Sequence, residues 1–244
     1  MTTKTYDIQI KTKIRIPVKI ALASDFHLKQ NSSSLIRDLV RTLNKEPADL
    51  IFLVGDFVQN HRKLHFLDPL SEIRNKNIFA VLGNHDFNIN LPWQKPDYLI
   101  AKLIENYLKN MGIKVLRNQK TSVKISNQSI SITGIDDLWT RQPFPADFRQ
   151  TDILLSHNPD IILYPPVTSS LILSGHTHGG SVSFYPIRRL FSFLNCRVGR
   201  RISNGLFSYE KRQVFITPGI GKLMGLIRKG VKPEISYLTL NCRY

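Results

Sequence analysis

Cysteine is nearly absent. Cys196 and Cys242 are the only two in 244 residues, too few for a disulfide framework and outside any metal-binding spacing. Both read as reduced packing thiols. Long apolar stretches are missing too: the runs are five to seven residues, too short to span a bilayer. The opening MTTKTYDIQIKTK has neither an apolar core nor a small-residue cleavage site, so no secretory signal is expected and the expected location is the cytoplasm. Acidic residues are scarce. Eighteen Asp+Glu face 34 Lys+Arg, giving a net charge of +16 and a pI near 10.0. Residues 181–244 carry 12 Lys+Arg against 2 Glu, so ten of the excess sixteen charges lie there. Such a surface attracts polyanions, meaning nucleic acid or an acidic membrane face. The 42% apolar and 21% charged content excludes disordered and fibrous classes. The length suits a single domain over residues 1–244.

Several short apolar runs end in polar clusters: VKIALASDFH (18–27), LIFLVGD (50–56), IFAVLGNHD (78–86), ILLSH (153–157) and LILSGHTH (171–178). Each is aliphatic without clean alternation, as expected of a strand buried on both faces. Helices are expected at Ser32–Leu43, with Leu35, Leu39, Val40 and Leu43 on one face, and at 97–111, capped by Asp97. Strand–helix–strand alternation implies parallel pairing. Ligands of such sheets collect beyond the carboxyl ends of the strands, where every one of these clusters falls. From Lys114 on, shorter strands follow (KVLRN, TSVKI, SISITGID, SVSFY, QVFITP, ISYLTL), which predicts a second sheet packed on the first.

Five of the seven histidines (His27, His85, His157, His176, His178) directly follow strand-like runs. Together with Asp25, Asp56 and Asn84 they suit phosphoester hydrolysis, which needs a strong nucleophile at neutral pH and cations on the phosphoryl oxygens. Two metals about 3.5–4 Å apart supply both. Mixed carboxylate, amide and imidazole donors suit Mn²⁺, Fe or Zn²⁺. Asp137, in the Gly134-Ile-Asp-Asp stretch, reads as a turn carboxylate, with a supporting place behind the site as the alternative.

Asp25-Phe-His27, Gly55-Asp56, Gly83-Asn84-His85-Asp86, the lone His157 and Gly175-His176-Thr177-His178 resemble, in order and spacing, the five motifs of the calcineurin-like metallophosphoesterases. The resemblance implies an α/β fold, a four-layer α-β-β-α sandwich of two mixed sheets flanked by helices. It implies that Asp25, His27, Asp56 and His178 hold a first divalent metal, expected to be Mn²⁺, and that Asp56, Asn84, His157 and His176 hold a second. His85 would contact the phosphoryl group or protonate the leaving oxygen, with Asp86 orienting it. Gly179-Gly180, Asn204-Gly205-Leu206-Phe207, Thr217-Pro218-Gly219-Ile220-Gly221 and Pro233-Glu234-Ile235 resemble a bacterial branch of membrane-associated phosphodiesterases that includes UDP-2,3-diacylglucosamine pyrophosphatases. The better-known pyrophosphatases of lipid A synthesis carry Arg where this chain has His85.

The region 184–232 interleaves aliphatic and aromatic residues with cations. Its bland reading is a solvated basic face. The sharper one is a surface that lies against the inner face of the cell membrane, Phe191, Phe193, Leu194, Leu223 and Met224 inserting. Arg188, Arg189, Arg200 and Arg201 would then clamp a second phosphate of a lipid-linked substrate. The alternatives are a nuclease or nucleotide phosphodiesterase, which the charge suits equally, and a non-catalytic scaffold.

Overall fold

The computed structural model describes residues 1–10, 14–28, 33–142, 151–164, 169–180, 196–198, 202–210, 212–221 and 231–242. The first sheet has strand order β1 (Thr2–Ile10), β12 (Glu234–Cys242), β2 (Val18–Ser24), β3 (Leu50–Val54), β4 (Ile78–Val81) and β5 (Lys114–Val115). The second runs β10 (Gly205–Tyr209), β11 (Arg212–Ile216), β9 (Ser169–Ser174), β8 (Thr151–Ser156), β7 (Gln128–Ile135) and β6 (Gln119–Ile125). Both are mixed. β2 through β5 are parallel, as are β7, β8, β9 and β11, while β12 runs antiparallel to β2 and β6 and β10 close the second sheet antiparallel. The sandwich expected from the motifs is the architecture found.

The missing alternation in the apolar runs has a direct cause. In β2 and β3, Ile20, Leu22, Leu50, Phe52 and Val54 face the second sheet and pack with Ile132, Leu155, Leu173 and Phe215. The intervening Ala21, Ala23, Ile51 and Leu53 pack instead with Ile36, Leu39, Val40 and Leu43 of helix α1 (Ser33–Lys45). Period two thus splits each strand between two cores, and every position is apolar. Helix α2 (Tyr98–Asn110) starts at Asp97, whose side chain accepts the Leu99 and Ile100 N–H groups at 3.1 Å each. On the outer face of the second sheet, Leu154, Ile172 and Val214 pack with Ile161 and Ile162 of a 3₁₀ turn (Pro159–Leu163).

Several elements carry no clear signal in the sequence, β10 and the short 3₁₀ turns among them. A 3₁₀ segment, His61–Glu72, kinked at Lys63 and containing Pro69, buries Leu64, Leu67 and Leu70 and carries the remaining histidines, His61 and His65. β1 pairs in parallel with β12 from Thr2↔Glu234 to Ile10↔Cys242. The expected strand SVSFY lies outside the described residues.

Candidate metal centre

Five strands deliver the candidate site. β2, β3 and β4 end at Ser24, Val54 and Val81, just before Asp25, Gly55-Asp56 and Gly83-Asn84; β8 and β9 end at Ser156 and Ser174, just before His157 and Gly175-His176. The chain turns sharply there. Asp25, His27, Asp56, His176 and His178 all have positive φ, between 43° and 69°. Non-glycine residues seldom adopt this conformation, and it persists only where the surroundings enforce it. The enforcement is visible: Asp25 N–H donates to Gly55 O at 3.0 Å, His27 N–H to Asp56 O at 2.9 Å and Gly175 N–H to His157 O at 3.0 Å. Gly83 is required by crowding, since a Cβ there would lie 2.7 Å from Asp56 N and 2.8 Å from His157 Cδ2.

The side chains converge in two groups. Asp25, His27 and His178 offer donor atoms within 4.8 Å of one another, as do Asp56, His157 and His176; a third grouping joins His27, Asp56 and His85. One oxygen lies between the groups. Asp56 Oδ2 is 3.4 Å from His27 Nε2 and 3.1 Å from His157 Nε2, while Asp56 Oδ1 is occupied by the His85 N–H at 3.0 Å. Asp25 Oδ1 stands 3.4 Å from His178 Nε2 and 4.0 Å from both His27 and His157. The His27 and His178 Nε2 atoms approach to 3.1 Å.

The donor set fits cations. Asp25 and Asp56 are fully buried, and among the described residues histidines are the titratable groups within ion-pair distance of them. Buried carboxylates need positive charge close by. Asn84 donates through Nδ2 to Ile89 O at 2.7 Å, which fixes the amide so that its buried Oδ1 has no hydrogen-bond partner. An acceptor left this way is a ligand in waiting. His157 Nδ1 donates to Val54 O at 2.8 Å, so Nε2 presents its lone pair inward. Burial, reinforced by His178, His85 and His157, holds His27 well below the ordinary histidine range against the pull of Asp56. Burial and then His157 lower His176 as well. His157 goes the other way: burial opposes its charge, but Asp56 and Asp25 raise it well above the ordinary value. Between Asp56 and His157 a proton and a cation therefore compete for one place.

Four residues take places that the motifs do not specify. Asp86, expected to orient His85, instead accepts three backbone N–H groups, Asp56 at 2.8 Å, Gly83 at 2.9 Å and Phe57 at 2.9 Å. With both oxygens engaged by the backbone, it pins the turns after β3 and β4 together. His85 is half-buried at the rim, its ring edge-on to His27 with centroids 4.9 Å apart. Asp137 is more than a turn carboxylate: Oδ1 accepts the Trp139 N–H at 2.9 Å, while Oδ2 is buried without a hydrogen-bond partner. Burial raises its pKa, and the charges of His157 and His176 pull it back. Trp139, not singled out from sequence, stands edge-on to His176 with centroids 5.2 Å apart. Arg188, Arg189, Arg200 and Arg201, and the apolar set Phe191, Phe193, Leu194, Leu223 and Met224, lie outside the described residues. No helix among the described residues is long and apolar enough to cross a membrane.

Residues 18–180 match the sequence profile of the calcineurin-like phosphoesterase family. Phosphodiesterase YaeI of Escherichia coli K12 is 32% identical over 237 residues, covering 92% of this chain and 82% of that protein. The uncharacterized metallophosphoesterase YkoQ of Bacillus subtilis 168 is 27% identical over 249 residues, covering 96% and 89%. Among solved structures, the phosphopantetheinyl hydrolase PptH of Mycobacterium tuberculosis shares the fold, with a TM-score of 0.50 at 13% identity over 83% of this chain and 89% of that one. The profile runs through all five strand-end motifs and most of the sandwich, and the chain belongs to the calcineurin-like phosphoesterase family, a metal-dependent phosphoester hydrolase.

Proposed function

We propose that the chain hydrolyses a phosphodiester or pyrophosphate bond at a two-cation centre. Asp25, His27, Asp56 and His178 hold one ion; Asp56, Asn84, His157 and His176 hold the other. The observation that carries this is Asp56 Oδ2, one buried oxygen facing His27 and His157 together. Donors of carboxylate, amide and imidazole type without thiolate favour Mn²⁺, with Fe or Zn²⁺ as alternatives. Such a pair supplies positive charge for the phosphoryl oxygens and acidifies the attacking water. The chain's own residues do the rest. Asp86 fixes the Asp56 turn through backbone hydrogen bonds. His85, on the rim beside His27, donates a proton to the departing oxygen. Asn84 and His157 aim their donors inward because their other polar atoms are already committed to Ile89 O and Val54 O.

The finer reading is a lipid-linked substrate, UDP-2,3-diacylglucosamine, taken from the inner face of the cell membrane. The branch resemblance and the basic, apolar-interleaved region 184–232 support it, with Arg188, Arg189, Arg200 and Arg201 on the second phosphate. The net charge of +16 also favours a second reading, a nucleotide phosphodiesterase or nuclease. A Mn²⁺-supplemented panel of UDP-2,3-diacylglucosamine, an aryl phosphodiester, an aryl monoester and single-stranded DNA separates them. Diester cleavage that stops with chelator, with the glucosamine lipid turned over fastest, is expected. Cleavage of DNA alone selects the second reading, and metal-independent turnover defeats both.

A further inference from the structure

Beside the His176 half of the centre lies a groove of about 620 Å³, a size that suits a small-molecule ligand. Trp139 joins the two: its ring meets His176 and also lines the groove. Asn158, the residue after His157, lines it too. Leu163 and Tyr164 line it as well, 38% and 46% exposed although both are large and apolar. The charged residues of its lining are two cations, Arg141 and Arg197, and one carboxylate, Asp160.

Arg141 is fixed through its side chain and Arg197 through its backbone. Arg141 caps the turn that carries Trp139, in a left-handed conformation with φ of 56°, and donates to Pro92 O at 3.2 Å. Asp160 accepts the Arg197 and Val198 N–H groups at 2.8 Å each and the Cys196 thiol at 3.2 Å. Its charge is thereby engaged by three donors, and it fixes the short segment that brings Arg197 to the groove. Aromatic rings and guanidinium groups lining one groove suit a planar ring attached to an anion; an acyl chain would gain nothing from the arginines.

We infer that this groove receives the nucleoside phosphate portion of the substrate, its base against Trp139 and Tyr164 and its further phosphate oxygens against Arg141 and Arg197. The inference rests on the phosphodiesterase reading and adds to it the class of the group beyond the scissile bond. It places that group on the His176 side, away from His85.

Calorimetry on the Mn²⁺-loaded protein compares uridine 5′-monophosphate with ribose 5-phosphate, which has the phosphate but no base. Base stacking of the ordinary strength should make the nucleotide bind about tenfold tighter. Tyr164→Ala should close that gap and Tyr164→Phe should keep it, which separates loss of a ring from loss of the fold. In parallel, the ratio of kcat/KM for thymidine 5′-(p-nitrophenyl phosphate) to that for methyl p-nitrophenyl phosphate should fall about tenfold in Tyr164→Ala and in Arg197→Ala. Equal affinity for the two phosphates overturns the groove assignment even if both esters are cleaved. If neither ester is cleaved and the nucleotide preference persists, the groove assignment stands and the phosphodiesterase reading falls.

Discussion

Replacing Asp86 with Ala should loosen the seam beneath the cation centre rather than act directly on its chemistry. The fully buried carboxylate accepts N–H groups from Asp56 at 2.8 Å, and from Gly83 and Phe57 at 2.9 Å each. A buried donor stripped of its acceptor costs about 1–3 kcal/mol, so three give about 3–9 kcal/mol. The low end applies, because the carboxylate is itself held against resistance: burial first, and then the Asp56 charge, push its pKa up to about 7. A loss of about 3 kcal/mol, at about 2–4 °C per kcal/mol for a chain of this size, predicts a Tm lower by roughly 6–12 °C. Asp86→Asn keeps one oxygen for two of the donors and turns an amide N–H₂ toward the third, and should cost roughly half as much. Thermal melts followed by circular dichroism read both variants. If Asp86→Ala melts within about 2 °C of the parent while kcat collapses, the residue serves His85 after all and the backbone account is wrong.

Asn84→Ala removes one unshared ligand, so elemental analysis after dialysis against Mn²⁺ should fall from two ions per chain toward one; retention of both would remove Asn84 from the ligand set. Glu105 is paired with Lys109 at 2.5 Å, Lys102 at 3.3 Å and Arg117 at 3.3 Å. Burial alone would raise its pKa, but those cations lower it below the ordinary 4.5. A depressed carboxylate lends stability above its unfolded pKa and loses it as pH falls through the folded one. Glu105→Gln should therefore flatten the drop in urea midpoint between about pH 5 and pH 3, and an unchanged acid limb would contradict the pairing. Phe52→Ala, between the sheets at 0% exposure, should cost about 3–5 kcal/mol in urea unfolding; a loss under about 1 kcal/mol would mean that the inter-sheet core is misplaced.

The strand ends were legible because chemistry and pattern coincide there: an aliphatic run stops and a carboxylate, amide or imidazole follows. α2 begins where Asp97 marks it, and α1 follows the stripe of Leu39, Val40 and Leu43. β1 is hard to read locally because its register is set by β12, more than 200 residues away, although Tyr6, Ile8 and Ile10 alternate as a half-buried strand should. The 3₁₀ segment at His61–Glu72 escaped because Pro69 breaks any helical reading of its leucines. Asp86 and Asp137 were harder. Nothing in a motif distinguishes a carboxylate that serves a side chain from one that serves three backbone amides, or a turn residue at the surface from one at 0% exposure. The place of Trp139 depends on a turn bringing its ring against a histidine 37 positions later, and no local signal encodes that.

The left-handed torsions of Asp25, His27, Asp56, His176 and His178 have a consequence for the order of assembly. An unfolded chain visits such torsions rarely, and all five at once almost never. The ligands come into register only after both sheets have closed around Phe52 and Phe215. Capture of the ions is then a late event, so a nascent or partly open chain grips them feebly. A chelator should strip the finished protein without dissolving its architecture, leaving a mould that refills when divalent metal returns.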